Sequence, residues 1–278
     1  MSEGPALWRG FERHKAALLS LFVLALLGAA CLLAPLIAPY SFDGIDLDQL
    51  RQAPSFSHPM GTDDLGRDVY TRLLFGGRVS LLIGVLAACL GTGLGTLVGA
   101  AAGFYGGLLD NVLMRFTDIA YAIPPLPLLI ILSTHSGAAA LSMAVILGLL
   151  SWMTTARIVR SEVLVIREAE YVEAARGMGA RNLRILARHV VPNALGPIVV
   201  GATLGVGNAI MTESALSFLG LGVQPPTPTW GNMLMDSQAT MATKPWLTLF
   251  PGLAILVVVL AVNFIGDGLD DALEGRTR

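Results

Sequence analysis

Charge is scarce in this chain. Asp, Glu, Lys and Arg make up 14% of its 278 residues, against about 25% in an ordinary soluble domain. With 54% hydrophobic residues and a mean hydropathy of +0.67, a water-soluble globule is excluded and a membrane protein is expected. The net charge of −2 offers no bulk attraction to nucleic acid. Lysine is almost missing. Lys15 and Lys244 are the only two, and neither follows glycines at the spacing of a GxxxxGKS or GxxxxGKT phosphate loop. The chain therefore has no route to ATP of that kind. Neither HExxH nor GxSxG occurs, and no Cys/His pairing suggests an intramembrane protease. Cys31 and Cys89 both fall in apolar runs, as small buried side chains without a disulfide framework. His14, His58, His135 and His189 are scattered. No catalytic residue, metal or cofactor is expected.

Apolar runs dominate what is present, and several reach the ~20 residues that cross a bilayer. The expected spans are 16–38, 79–103, 111–133, 138–156, 193–212 and 247–266. The first is too long for a signal-peptide core and reads as an uncleaved anchor. An even number of spans places both termini on one side. Thirteen Lys and Arg then fall on that side and five on the other. The positive-inside rule makes the richer side cytoplasmic, so segments 39–77 and 213–245 face outward. Three regions follow: 1–77, with the tail, first span and outward segment; 78–267, with five spans; and a cytoplasmic tail, 268–278.

Local patterns refine this frame. In GTDDLGRDVYTRLLFGGR, Thr62 is a helix-cap candidate, and Asp63–Arg67 and Asp68–Arg72 are i,i+4 pairs, so an interfacial helix is expected there. Gly91, Gly95, Gly99 and Gly103 recur every four residues and line one face of span two, where small residues allow close helix packing. Arg115 and Asp118 are placed to pair at i,i+3 near the start of span three. Pro124, Pro125 and Pro127 interrupt the same span, and broken helices in membranes line cavities or are covered by protein. Glu213, an acid at a span end, is either a polar group on a solute path or a hydrogen-bonded anchor for 214–230.

The longest polar run between spans is Glu168 to Pro192. It is acidic first (Glu168, Glu170, Glu173) and basic afterwards (Arg176, Arg181, Arg184, Arg188), with Gly177 and Gly179 between. Two short helices about a tight turn are expected, projecting into the cytoplasm without a core of their own. Tethering by a span at each end argues against a DNA-reading helix-turn-helix.

The residues of this loop carry a resemblance. Glu173-Ala174-Ala175, Gly179 three residues on and Pro192 match the EAA signature of bacterial ABC importer permeases, with His189 where Ile is usual. GTDDLGRDVYTRLLFGGRVSLLIG and ESALSFLGLGVQPPTPTWGNML are similar to segments of the dipeptide, oligopeptide and nickel permeases. The tail GDGLDDALEGR resembles theirs, with Asp270 in place of the common Arg and Glu274-Gly275 in place of Asp-Pro. The resemblance implies an all-α membrane protein of six spans, the type I ABC importer permease fold, in a bacterial inner or plasma membrane. It implies a subunit for di- or oligopeptides, with a second related permease, two ATPase subunits and an extracytoplasmic solute-binding protein as partners. Glu173, Ala174, Ala175, Arg176, Gly179 and Pro192 are then the ATPase-docking residues, within a coupling loop 168–192. Glu213, Pro124 and Pro125 are candidates for the substrate path. Met211, Met233, Met235 and Met241 around the outward loop keep a nickel or metal-chelate cargo open. A membrane scaffold or receptor is the alternative without transport.

Overall fold

The structure, a computed structural model, describes residues 14–135 and 139–274. The arginines of the expected N-terminal tail (Arg9, Arg13) and those at the C-terminus (Arg276, Arg278) lie outside the described residues. The fold is helical, with no strand among the described residues. Its main helices are α1 (Lys15–Leu32), α2 (Val69–Tyr105), α3 (Gly107–Ala122), α4 (Pro125–His135), α5 (Ala140–Ile166), α6 (Glu170–Gly177), α7 (Leu195–Phe218), α8 (Trp230–Ser237) and α9 (Trp246–Glu274). Five helical stretches among these residues are long and apolar enough to cross a membrane. The consecutive pair α3 and α4, bent by 79°, makes a sixth if counted as one broken span. The break falls at Ile123-Pro124, and Pro125 opens α4. A proline ring disfavours the helical region for the residue before it, which ends α3 there.

Of the expected interfacial helix, only the part from Val69 onward forms, as the first turns of α2. Residues 61–68 are turns closed by a Thr62–Asp68 bridge, and α2 starts only at Val69, capped by the Asp68 carboxylate accepting the Thr71 N–H (2.8 Å). Thr62 caps nothing: its hydroxyl donates to the Gln49 carbonyl and accepts from the Gln52 N–H. Asp63 does pair with Arg67 (2.7 Å), but across a turn. Asp68 turns to His58 (2.8 Å), and Arg72 turns to Asp236 (3.3 Å) and Asp63 (3.4 Å). Long-range ion pairs and a better cap outcompeted the local i,i+4 geometry. Helix α2 then runs unbroken for 37 residues, across the expected 77/78 boundary, to Gly106 at φ +65°. Helix α9 likewise crosses the 267/268 boundary, so no separate tail begins at 268. Helix α7 continues through Glu213 to Phe218, and the loop beyond it starts later than expected.

The glycine face of α2 packs on α5. A Cβ added at Gly95 would lie 2.6 Å from the Trp152 carbonyl oxygen, and one at Gly99 would lie 2.3 Å from that of Ala156. Without a hydrophobic drive between helices in lipid, such backbone proximity is what holds spans together. Cys31 is buried as expected, whereas Cys89 is exposed on the outside of α2.

Contacts sort the bundle into two ends. At one end, Ala17 of α1 packs with Ile265 and Ala272 of α9, and His14 lies 3.7 Å from Asp271. Leu273 reaches Gly196 at the start of α7, and α6 packs there too. At the other end, segment 38–68 and the start of α2 meet α8, through Arg67–Asp236 and Arg72–Asp236 at 3.3 Å each. Trp230 is fully buried there, its indole N–H donating to the Leu73 carbonyl (3.0 Å). Burial pushes the Asp236 carboxyl above the usual carboxylate range, against the pull of Arg72 and Arg67.

Candidate functional site

The loop from Glu168 to Pro192 is two short helical pieces about a turn, but it is not coreless. Helix α6 is followed by Gly179 at φ +80°, then by a helical turn at Asn182–Ile185. A Cβ on Gly179 would meet nothing within 4 Å, so glycine is required there by the left-handed backbone and not by space. The path from Asn182 to α7 stays helical, widening over Leu186–Val190 and tightening over Val191–Ala194. Pro192 has no N–H to give the preceding turn, and the helix changes pitch to pass it.

One side of this loop is sewn to the bundle. Val172 and Ala175 of α6, with Ile185, Val190 and Ala194, form a buried cluster with Ala100 and Phe104 of α2 and Val159 and Val163 of α5. Ala175 therefore faces inward, which corrects the expectation that it lines a docking face. The opposite side presents Glu173, Ala174, Arg176, Gly177, Met178 and Gly179, all exposed, and Pro192 is exposed at the far end of the loop. Glu173 and Arg176, three positions apart on α6, do not pair with one another. The Arg176 guanidinium sits 5.5 Å from the centroid of the Phe104 ring, a cation–π contact. Glu173 has no side-chain partner among the described residues. The missed signal was the i,i+3 pair Val172 and Ala175 on one face of α6, hidden by the charges around it.

The adjoining part of the bundle is cross-braced by ion pairs. Arg160 of α5 grips Asp110 of α3 through two hydrogen bonds (2.6 and 2.7 Å). Arg157 bonds Asp118 (2.9 Å) and lies 4.5 Å over the Tyr121 ring. Asp118 thus pairs across helices with Arg157 and not with Arg115. The Arg167 guanidinium also donates to the Gly103 carbonyl (2.9 Å). The first half of the broken span is in this way fastened to α5 just before α6.

The three path candidates separate. Pro124 and Pro125 sit at the exposed elbow of the broken span. Glu213 is fully buried and accepts the Ser217 hydroxyl (2.7 Å) and, more weakly, that of Ser214 (3.4 Å). Helix α8 lies directly on it: a Cβ at Gly231 would stand 2.7 Å from Ser214 Cα, and the Trp230 N–H donates to Ser80 (3.2 Å). This geometry is that of an anchor for the loop after α7. The four methionines do not form one face either, since Met233 is buried in an apolar cluster with Trp230 while Met211 and Met241 are exposed.

Comparison with known proteins accords with this architecture. Residues 95–278 match the family described as binding-protein-dependent transport system inner membrane component, and residues 6–54 match the N-terminal TM domain of oligopeptide transport permease C. A protein of Brucella suis biovar 1, provisionally named a peptide permease protein, is 45% identical over 96% of this chain and 89% of its own length. The dipeptide transport system permease protein of Alkalihalophilus pseudofirmus is 39% identical, over 98% of this chain and 89% of its own. Among solved structures, a chain of the MetNI methionine ABC transporter in inward-facing conformations matches with a TM-score of 0.57. It is 20% identical and covers 70% of this chain and 93% of its own, a likeness of fold. With its apolar spans, paired ends and matched family signature, this chain belongs to the inner-membrane permease components of binding-protein-dependent ABC transport systems.

Proposed function

We propose that this subunit forms half of a translocation pathway for di- and oligopeptides and is driven through the loop 168–192 by ATPase partners. The single observation that carries the reading is the two-sidedness of that loop. Val172 and Ala175 lock it into α2 and α5, while Glu173, Ala174 and Arg176 stand exposed on its other face. A partner holding that face moves the spans with it as a rigid body. Fuel must come from such a partner, because the chain has no phosphate loop.

The full assembly in this reading has a second, related permease, two ATPase subunits and an extracytoplasmic solute-binding protein. The end bearing α6, the start of α1 and the end of α9 is cytoplasmic, since thirteen of the 18 Lys and Arg belong to that side. Peptide cargo is supported by the names of relatives: dipeptide, oligopeptide and glutathione transport permeases at 39–40% identity. The test is ATP-driven uptake into vesicles by the reconstituted complex, with dipeptide and nickel offered separately. Dipeptide accumulation is expected, and Glu173→Lys is expected to abolish it while ATPase subunits and permease still reach the membrane. Normal uptake by that variant overturns the docking role, and uptake of nickel alone overturns the cargo.

A further inference from the structure

A groove of about 500 Å³ opens between α4, α5 and α7. Apolar groups such as Leu126 and Leu147 line it, and so do polar side chains, among them Thr154 and Thr155 of α5 and Asn208 of α7. All three lie near the middle of their spans. Thr212 and Ser151 also reach the groove, yet their hydroxyls are spent on carbonyls of their own helices, Asn208 (2.8 Å) and Gly148 (3.1 Å). The side chains of Thr154, Thr155 and Asn208 have no such partner among the described residues, and Thr154 and Asn208 are exposed. A primary amide facing hydrocarbon forfeits its hydrogen bonds, at a cost of several kcal/mol on the water-to-cyclohexane scale, about 4–8. Mid-span polar groups of this kind face water, a polar ligand or a partner helix. No ionised side chain among the described residues lines the groove. Gly201 and Gly205 keep its α7 wall low.

We infer that this groove is the chain's solute-contacting surface and that Asn208, with Thr154 and Thr155, hydrogen-bonds the amide groups of a passing peptide without reading its charge. The inference rests on the importer reading above. Asn208 offers one acceptor and two donor hydrogens, the complement of a peptide unit. A neutral lining takes the shared backbone of peptides and leaves selection by side-chain charge to other components. Glu213, the acid expected on the path, is sealed under α8 and is not available to do so.

The experiment uses the complete reconstituted transporter and compares uptake of Ala-Lys and Ala-Glu. The solute-binding protein is the same throughout, so a change in the ratio of the two rates between variants reports on the permease. Asn208→Asp puts one negative charge in the groove and is expected to change each rate by about fivefold in opposite directions, the value for unit charges ~4 Å apart in water, and so the ratio by about 25-fold toward Ala-Lys. An unchanged ratio with ATPase coupling intact overturns the inference. Should Asn208→Asp fail to assemble, Asn208→Cys in a background with Cys31→Ala and Cys89→Ala is labelled with a charged, water-soluble thiol reagent. Labelling that Ala-Ala slows supports the groove as the path, and no labelling in the working transporter overturns it. Absence of uptake of either dipeptide by the unaltered complex counts against the peptide reading itself, whereas reagent access to the thiol introduced by Asn208→Cys is read independently of uptake.

Discussion

Replacing Gly99 by alanine tests the seam between α2 and α5, where a single methyl group has nowhere to go. The new Cβ would stand 2.3 Å from the Ala156 carbonyl oxygen and 3.0 Å from both the Arg160 nitrogen and the Val159 Cβ. Ordinary contact begins at 3.4 Å, so the helices must part by about 1 Å. Two of the three neighbours are backbone, and no rotamer change can relieve them. Overpacking of this kind costs ~1–3 kcal/mol, and the helix propensity of alanine over glycine returns ~1 kcal/mol of it. Gly93 on the same helix is the control, because a Cβ there meets nothing within 4 Å. The expected result is that Gly99→Ala unfolds at a lower SDS fraction in mixed micelles, and Gly93→Ala at the same or a higher fraction than the unaltered protein. Because the seam lies next to α6, uptake should fall with Gly99→Ala as well. Coincident SDS curves for both variants would refute the claim that backbone contact at the glycine face holds these spans together.

Other perturbations follow from the same geometry. Val172→Asp buries a charge in the cluster that fastens α6 to α2 and α5, so protease cleavage in 168–180 should rise sharply. Val172→Leu should leave that cleavage near the unaltered rate. Asp110→Asn weakens the two-bonded clasp on Arg160. A partly exposed pair of this kind is worth less than the 3–5 kcal/mol loss on breaking a fully buried one, so a drop of about 1–2 kcal/mol in the SDS titration is expected. Glu213→Gln keeps an acceptor for Ser217 and should be tolerated, whereas Glu213→Leu strands that hydroxyl at a cost of ~1–3 kcal/mol, read as earlier proteolysis of the loop after α7. Trp230→Ala empties a fully buried site and should cost ~3–5 kcal/mol, measured by the same titration.

The hydrophobic runs were enough to reveal a multi-span helical protein, and Pro124, Pro125 and Pro127 the break in its third span. That follows because a bilayer admits few structures, and length and polarity select among them. The EAA residues were likewise legible, since their spacing is local. What the chain's order could not reveal was which partner each charged group would choose. Asp68 took His58 and a helix cap, Asp118 took Arg157 39 positions away, and Arg72 reached Asp236 on α8. Each of these contacts depends on helices brought together by packing, and one-dimensional spacing carries no record of it. The inward turn of Ala175, the sealing of Glu213 under α8 and the placing of Asn208 and Thr154 on one groove were decided in the same way, by which faces of neighbouring helices came to lie against one another.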